Sequence, residues 1–129
     1  MDIKYNIATP NRPVGSRLLD APWVYADIDT IVEQIQLEST WERNDRNGMT
    51  IFKTDRFTLV LTILKQGAAI MRNSVDGFMT LHVLKGKAEV QTEDCPVILC
   101  PGNLLHLHPF ISHNIIAREE TILLFSTYI

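Results

Sequence analysis

No apolar run in this 129-residue chain approaches the ~18 residues a helix needs to cross a bilayer, so no membrane span is expected. Nor is there an excess of positive charge. Twelve Lys and Arg face fifteen Asp and Glu, the net charge is -3, and the basic residues are scattered. Arg43 and Arg46 are interleaved with Glu42 and Asp45, which makes a mixed surface and leaves no footprint for nucleic acid or anionic lipid. The opening MDIKYNIATPNRP has neither a basic start leading into an apolar block nor a small-residue cleavage site, so a cytoplasmic address is the expectation. A G-x-S-x-G nucleophile setting and a Gly-rich phosphate loop are both missing.

Cysteine is scarce as well. Cys95 and Cys100 lie five apart in DCPVILC, and if that run is one extended strand the odd spacing sends them to opposite faces, where they cannot pair. Buried, reduced thiols are expected, which suits a reducing compartment.

What remains has the length of one domain with a single core. Residues 1–22 hold three of the six prolines and read as an extended arm. From Asp27 to about Ser39, Ile28, Ile31, Val32 and Ile35 recur at helical spacing behind an Asp N-cap, which predicts one helix. WERNDRNG, 41–48, is polar and ends in Asn-Gly, a turn signal. After it the period falls to two. MTIFKT and RFTLVLTILK form a hairpin in which Phe57, Leu59, Leu61 and Ile63 alternate with Thr58, Val60, Thr62 and Leu64. Further short strands follow at FMTLHVL, KAEVQT, CPVILC, NLLHLH, HNIIA and TILLFSTYI, with Gly67, Gly77, Gly86 and Gly102 in the gaps. The cadence predicts an antiparallel sandwich or small barrel. The division is an arm plus helix over 1–48 and a barrel over 49–129, in one domain.

Three of the four histidines fall in LLHLHPFISHN, 104–114. His106 and His108 share a strand face about 7 Å apart. The acidic pairs Glu93–Asp94 and Glu119–Glu120 sit in turn-like stretches and read as solvated charge.

The strings LHVLKGKAEV and LCPGNLLHLHPFISHNI resemble the cupin family, RmlC-like jelly-roll barrels with a ligand or metal cavity at the centre. The first family motif reads glycine, five residues, His-x-His, three or four residues, glutamate, six residues, glycine. It lies on Gly67 to Gly86, with its ligand positions at Asn73, Val75 and Met79. The second reads glycine, five residues, proline, one residue, glycine, two residues, histidine, three residues, asparagine. Gly102 and His113 match, while His108, Phe110 and Ala117 hold the proline, glycine and asparagine positions. WERNDRNGMTIFKTDR also resembles the segment before the barrel in small single-domain bacterial cupins.

The resemblance implies an all-β, cupin-like double-stranded β-helix with one N-terminal helix and an extended arm. Its metal motif is degenerate, so no cofactor is expected. The expected cavity, lined by Asn73, Val75, Met79, Leu81, His108 and His113, is apolar with a few polar groups and suits a small organic molecule. His113 is its titratable group, the candidate catalytic residue. The alternative is an enzyme such as a dioxygenase or isomerase, with either a rearranged divalent transition-metal site at His113, His108 and His106 or His113 acting alone. With Met79 and Leu81 inward, parity turns His82 outward, and Arg72 is likewise read as a surface charge. A homodimer is expected, using the arm, the helix or TILLFSTYI.

Overall fold

A computed structural model describes residues 3–6 and 17–129, so the expected arm falls largely outside the described residues. Its described parts are β1 (Lys4–Asn6) and β2 (Arg17–Asp20), paired antiparallel.

Helix α1 (Ile28–Leu37) starts where the sequence pattern puts it. The Asp27 carboxylate accepts from Thr30 N at 3.3 Å and caps the first turn. The helix stops at Glu38, whose backbone is extended. A second short helix, α2 (Ser39–Arg43), replaces the expected polar turn. Trp41 is the reason. Its side chain packs into an apolar cluster, the Lys65 ammonium stands 4.7 Å over its ring, and the same ammonium donates to the Trp41 carbonyl at 2.7 Å.

The Asn47–Gly48 pair is not a turn either; it lies inside β3 (Arg46–Lys53). Asn47 is buried, and its amide nitrogen donates to the Ile35 carbonyl at 3.0 Å and to the Glu38 carboxylate at 2.9 Å. Its oxygen accepts from Gly48 N at 2.9 Å. The residue that signals a turn in isolation serves instead as the tie between α1 and the sheet.

The other strands are β4 (Phe57–Leu64), β5 (Ala69–Asn73), β6 (Phe78–Lys85), β7 (Ala88–Gln91), β8 (Val97–Leu99), β9 (Leu104–Leu107), β10 (His113–Ala117) and β11 (Thr121–Tyr128). They form two antiparallel sheets, ordered β3-β4-β11-β6-β9 and β5-β10-β7-β8. The inner faces meet in one apolar core that includes Leu64, Met79, Leu81, Val83, Val90, Ile115, Leu123 and Phe125. Residues one step out of phase face the helix: Leu61, Ile63 and Ile122 join Met49, Ile51 and Ile35 in a second core, with Leu59 and Leu124 packed against it. Burying Ile35, which is wholly enclosed, contributes about 1.5–3 kcal/mol. β4 and β11 are therefore walls of both cores, as their two-sided apolar pattern requires.

One expectation changes. Cys95 and Cys100 are both exposed: they lie on either side of β8, outside the strand, whose own Val97 and Ile98 are exposed as well. In the stripe of α1 Ile35 is buried while Ile28, Ile31 and Val32 are half-buried, and β11 is mostly buried up to the exposed Tyr128 and Ile129. Among the described residues no helix is long and apolar enough to cross a membrane.

Candidate functional site

Strand pairing sets the inner surface in rows. Thr58, Thr127, Met79 and Leu107 lie side by side across β4, β11, β6 and β9. Val60, Phe125, Leu81 and Leu105 form the next row inward. Met79, Leu81 and Phe125 are buried, whereas Thr58, Val60 and Thr127 are only half-buried. Apolar packing closes the β6 side of the barrel, while the outer row on β4 and β11 carries the half-buried Thr58 and Thr127. The Thr58–Val60–Thr62 alternation is visible in the sequence, but nothing in it assigns these threonines to the inner face.

His113 opens β10 and is 2% exposed. Its strand partner is Asn73, the last residue of β5. The imidazole Nδ1 lies 2.9 Å from the Ile111 carbonyl, and Nε2 lies 3.2 Å from the Asn73 amide nitrogen. A carbonyl only accepts, so Nδ1 carries the proton and donates, and the Nε2 lone pair accepts from Asn73. Both ring nitrogens are thus engaged within the protein.

The backbone is strained on both flanks of this pair. Arg72 has φ 51° and Phe110 φ 63°, the two positive values found outside glycine among the described residues. Arg72 is held by its own N–H, which donates to the Asn114 side-chain oxygen at 2.7 Å. Phe110 N donates to the Val75 carbonyl at 2.9 Å and so links the β9–β10 loop to the β5–β6 loop. Phe110 and Ile111 are exposed at this rim, and Val75 is half-buried against the barrel core.

His108, expected to line a cavity in the barrel, does not face the barrel interior. Its exposed ring meets Phe78 edge-on at 5.1 Å, because the strand alternation that sends Leu107 inward sends His106 and His108 to the outside. His106 is exposed there too, stacked on Phe78 at 5.6 Å. His82 is half-buried on the same outer face, opposite Leu104, and Arg72 is exposed. The carboxyls held below their ordinary range are Asp45 beside Arg46, Asp55 beside Lys4, and Glu89 beside Arg118 and Gln91. All three are surface pairs, away from the inner rows.

A separate groove of about 650 Å³ lies on the helix side of β3, floored by Met49 and Ile51 and walled by Trp23, Tyr25 and Ile31. The exposed aromatics of PWVYAD are its only sequence signal.

Among solved structures, a cupin superfamily protein from Desulfitobacterium hafniense is similar over 67% of this chain and 79% of its own, with a TM-score of 0.64 and 22% identity. The fold is that of the cupins. A cupin-2 domain protein from Shewanella frigidimarina matches 81% of this chain and 94% of its own at a TM-score of 0.66 and 11% identity. KdgF from a Halomonas species matches 66% and 80% at a TM-score of 0.60 and 17% identity. No protein-family model and no curated protein matches the chain. At these identities the likeness fixes the cupin barrel and leaves activity open.

The cupin-motif glycine positions Gly67, Gly86 and Gly102 all have positive φ. The second motif's inner glycine position is Phe110, where the backbone is left-handed although the residue carries a side chain. The ligand positions do not fit a metal. Val75 and Met79 offer no nitrogen or oxygen donor from their side chains, Asn73 is bonded to His113, and both His113 nitrogens are already paired. Among the described residues no three His, Cys, Asp or Glu side chains converge on one point.

Proposed function

We propose that this cupin barrel is a cytoplasmic binding module for a small organic molecule held at the rim formed by His113, Asn73, Val75 and Phe110, without metal chemistry. The observation that carries the reading is Phe110. A non-glycine residue at φ 63° costs on the order of 1 kcal/mol relative to glycine. Its ring is exposed, so burial in the free protein offsets little of that cost. A strained, solvent-facing aromatic near a buried imidazole and its half-buried amide partner is what a ligand clamp requires. The half-buried Thr58 and Thr127 add hydroxyls to an otherwise apolar wall.

Native mass spectrometry of untagged protein, followed by rebinding of the extracted molecule, tests this. Phe110→Gly is expected to fold with equal or higher stability and to bind at least about tenfold more weakly, a loss of 1.4 kcal/mol. His113→Ala is expected to lose binding as well. Binding kept in both variants and abolished in Trp23→Ala would move the ligand to the groove beside β3 and overturn the proposal.

The enzyme alternative asks more of His113. As a general base its Nε2 must first release Asn73, so turnover requires that amide to swing away.

Association of two copies belongs to the same proposal. The exposed Trp23 and Tyr25, Leu37 at the end of α1, and Tyr128 and Ile129 at the end of β11 are among the apolar side chains available for it. Light scattering at micromolar concentration is expected to give twice the chain mass, and a monomer there removes the dimer from the reading.

A further inference from the structure

The outer wall of β6 and β9 carries an arrangement that the barrel interior does not use. Phe78, Thr80 and His82 alternate with the core-facing Met79, Leu81 and Val83, and across the ladder His106 pairs with Thr80 and Leu104 with His82. The His106 ring lies 9° from parallel to Phe78, His108 meets the same ring at 76°, and the two imidazole centroids are 5.9 Å apart. Phe78 thus supports both imidazoles against the sheet.

We propose that His106 and His108 form a two-nitrogen surface site for a divalent transition ion, with copper(II) bound most tightly. Imidazole nitrogens about 2.0–2.1 Å from a metal put two ring centroids roughly 4.5–6.5 Å apart, depending on the angle at the metal. The observed separation lies inside that range. The Thr80 hydroxyl lies 3.1 Å from His106 Nδ1. When it accepts from Nδ1–H, the ring is oriented and the Nε2 lone pair is left for the ion, the arrangement in which an outer partner fixes a metal-binding histidine. Both imidazoles are exposed, so water fills the other coordination positions. Two imidazoles favour copper, nickel and zinc over calcium and magnesium, which demand oxygen, and copper(II) heads the series for a nitrogen site. The site shares no residue with the His113 rim, so either can fail without the other.

The test is a titration of untagged, chelator-treated full-length protein with copper(II) chloride, followed by calorimetry and electron paramagnetic resonance. One equivalent is expected, with a spectrum showing two imidazole nitrogens. His106→Ala and His108→Ala are each expected to weaken binding at least about tenfold, since each leaves one donor where a chelate stood. Thr80→Val is expected to cost about tenfold by freeing the His106 ring. His82→Ala, on the same face but opposite Leu104, is expected to bind as the parent does. Unchanged affinity in both His106→Ala and His108→Ala overturns the proposal, and so does an equal loss in His82→Ala.

Discussion

Gly86→Ala is expected to lose about 3–5 kcal/mol of unfolding free energy, enough to unfold much of the population of a marginal domain at physiological temperature. Gly86 has φ +90°, which already strains any L side chain. A β-carbon there would also overlap the Glu120 carbonyl oxygen and stand 2.8 Å from Thr121 Cα. Both obstacles are backbone. They cannot move away, because the β6–β7 and β10–β11 turns are locked together at this point. The Thr121 hydroxyl, wholly buried, lies 3.0 Å from the Lys87 carbonyl, 2.8 Å from the Glu119 carbonyl and 3.2 Å from Lys87 N. Arg118 N adds a bond of 2.9 Å to the same Lys87 carbonyl. Gly102 is the control. Its φ is +88° but nothing lies within 4 Å of the added carbon, so Gly102→Ala is expected to cost about 1–2 kcal/mol. Urea unfolding of both variants measures the difference. Equal midpoints would mean that the turn contact with Glu120 does not restrain the fold.

Asn47→Ala is expected to cost about 2–4 kcal/mol, a large effect for one amide. Asn47 is 7% exposed and makes three hydrogen bonds: to the Ile35 carbonyl near the end of α1, to Glu38, and from Gly48 N. Alanine fills less of the space and leaves these groups without that partner in a place water reaches poorly. Asn47→Asp is expected to do no better. It removes both donors and sets a carboxylate against Glu38. Urea unfolding gives the magnitude, and amide hydrogen exchange gives the location: protection in α1 should fall more than protection in β6 or β10. A variant within about 0.5 kcal/mol of the parent would show that the helix is held by its apolar face alone.

These two residues mark what sequence reading could and could not reach. Gly86 was legible as a turn because a strand pattern stops on either side of it. Asn47 was misread because Asn-Gly is a local turn signal, and the bond to Ile35 that overrides it spans twelve residues of sequence. The Trp41 segment was misread likewise: its polar neighbours suggested a turn, and only packing against the second core makes it helical. Strand parity carried information as far as the strands stay regular. It turned His82 outward and Met79 inward. It failed to bring His108 to His113 because the register that buries Leu107 also commits His108 to the outer wall. The motif resemblance puts Asn73 and His113 in one cavity, but their hydrogen bond to each other rests on β5 and β10 being neighbours, which alternation within either strand does not show.

The two-faced walls β4 and β11 also guard the alignment of the chain. A one-residue slip of β4 would carry Leu59, Leu61 and Ile63 into the barrel and put Thr58, Val60 and Thr62 beneath the helix. The barrel would be overfilled by branched side chains while hydroxyls without partners replaced the helix's apolar footing. Each core rejects the error independently, so misalignment is penalised twice by a segment only eight residues long.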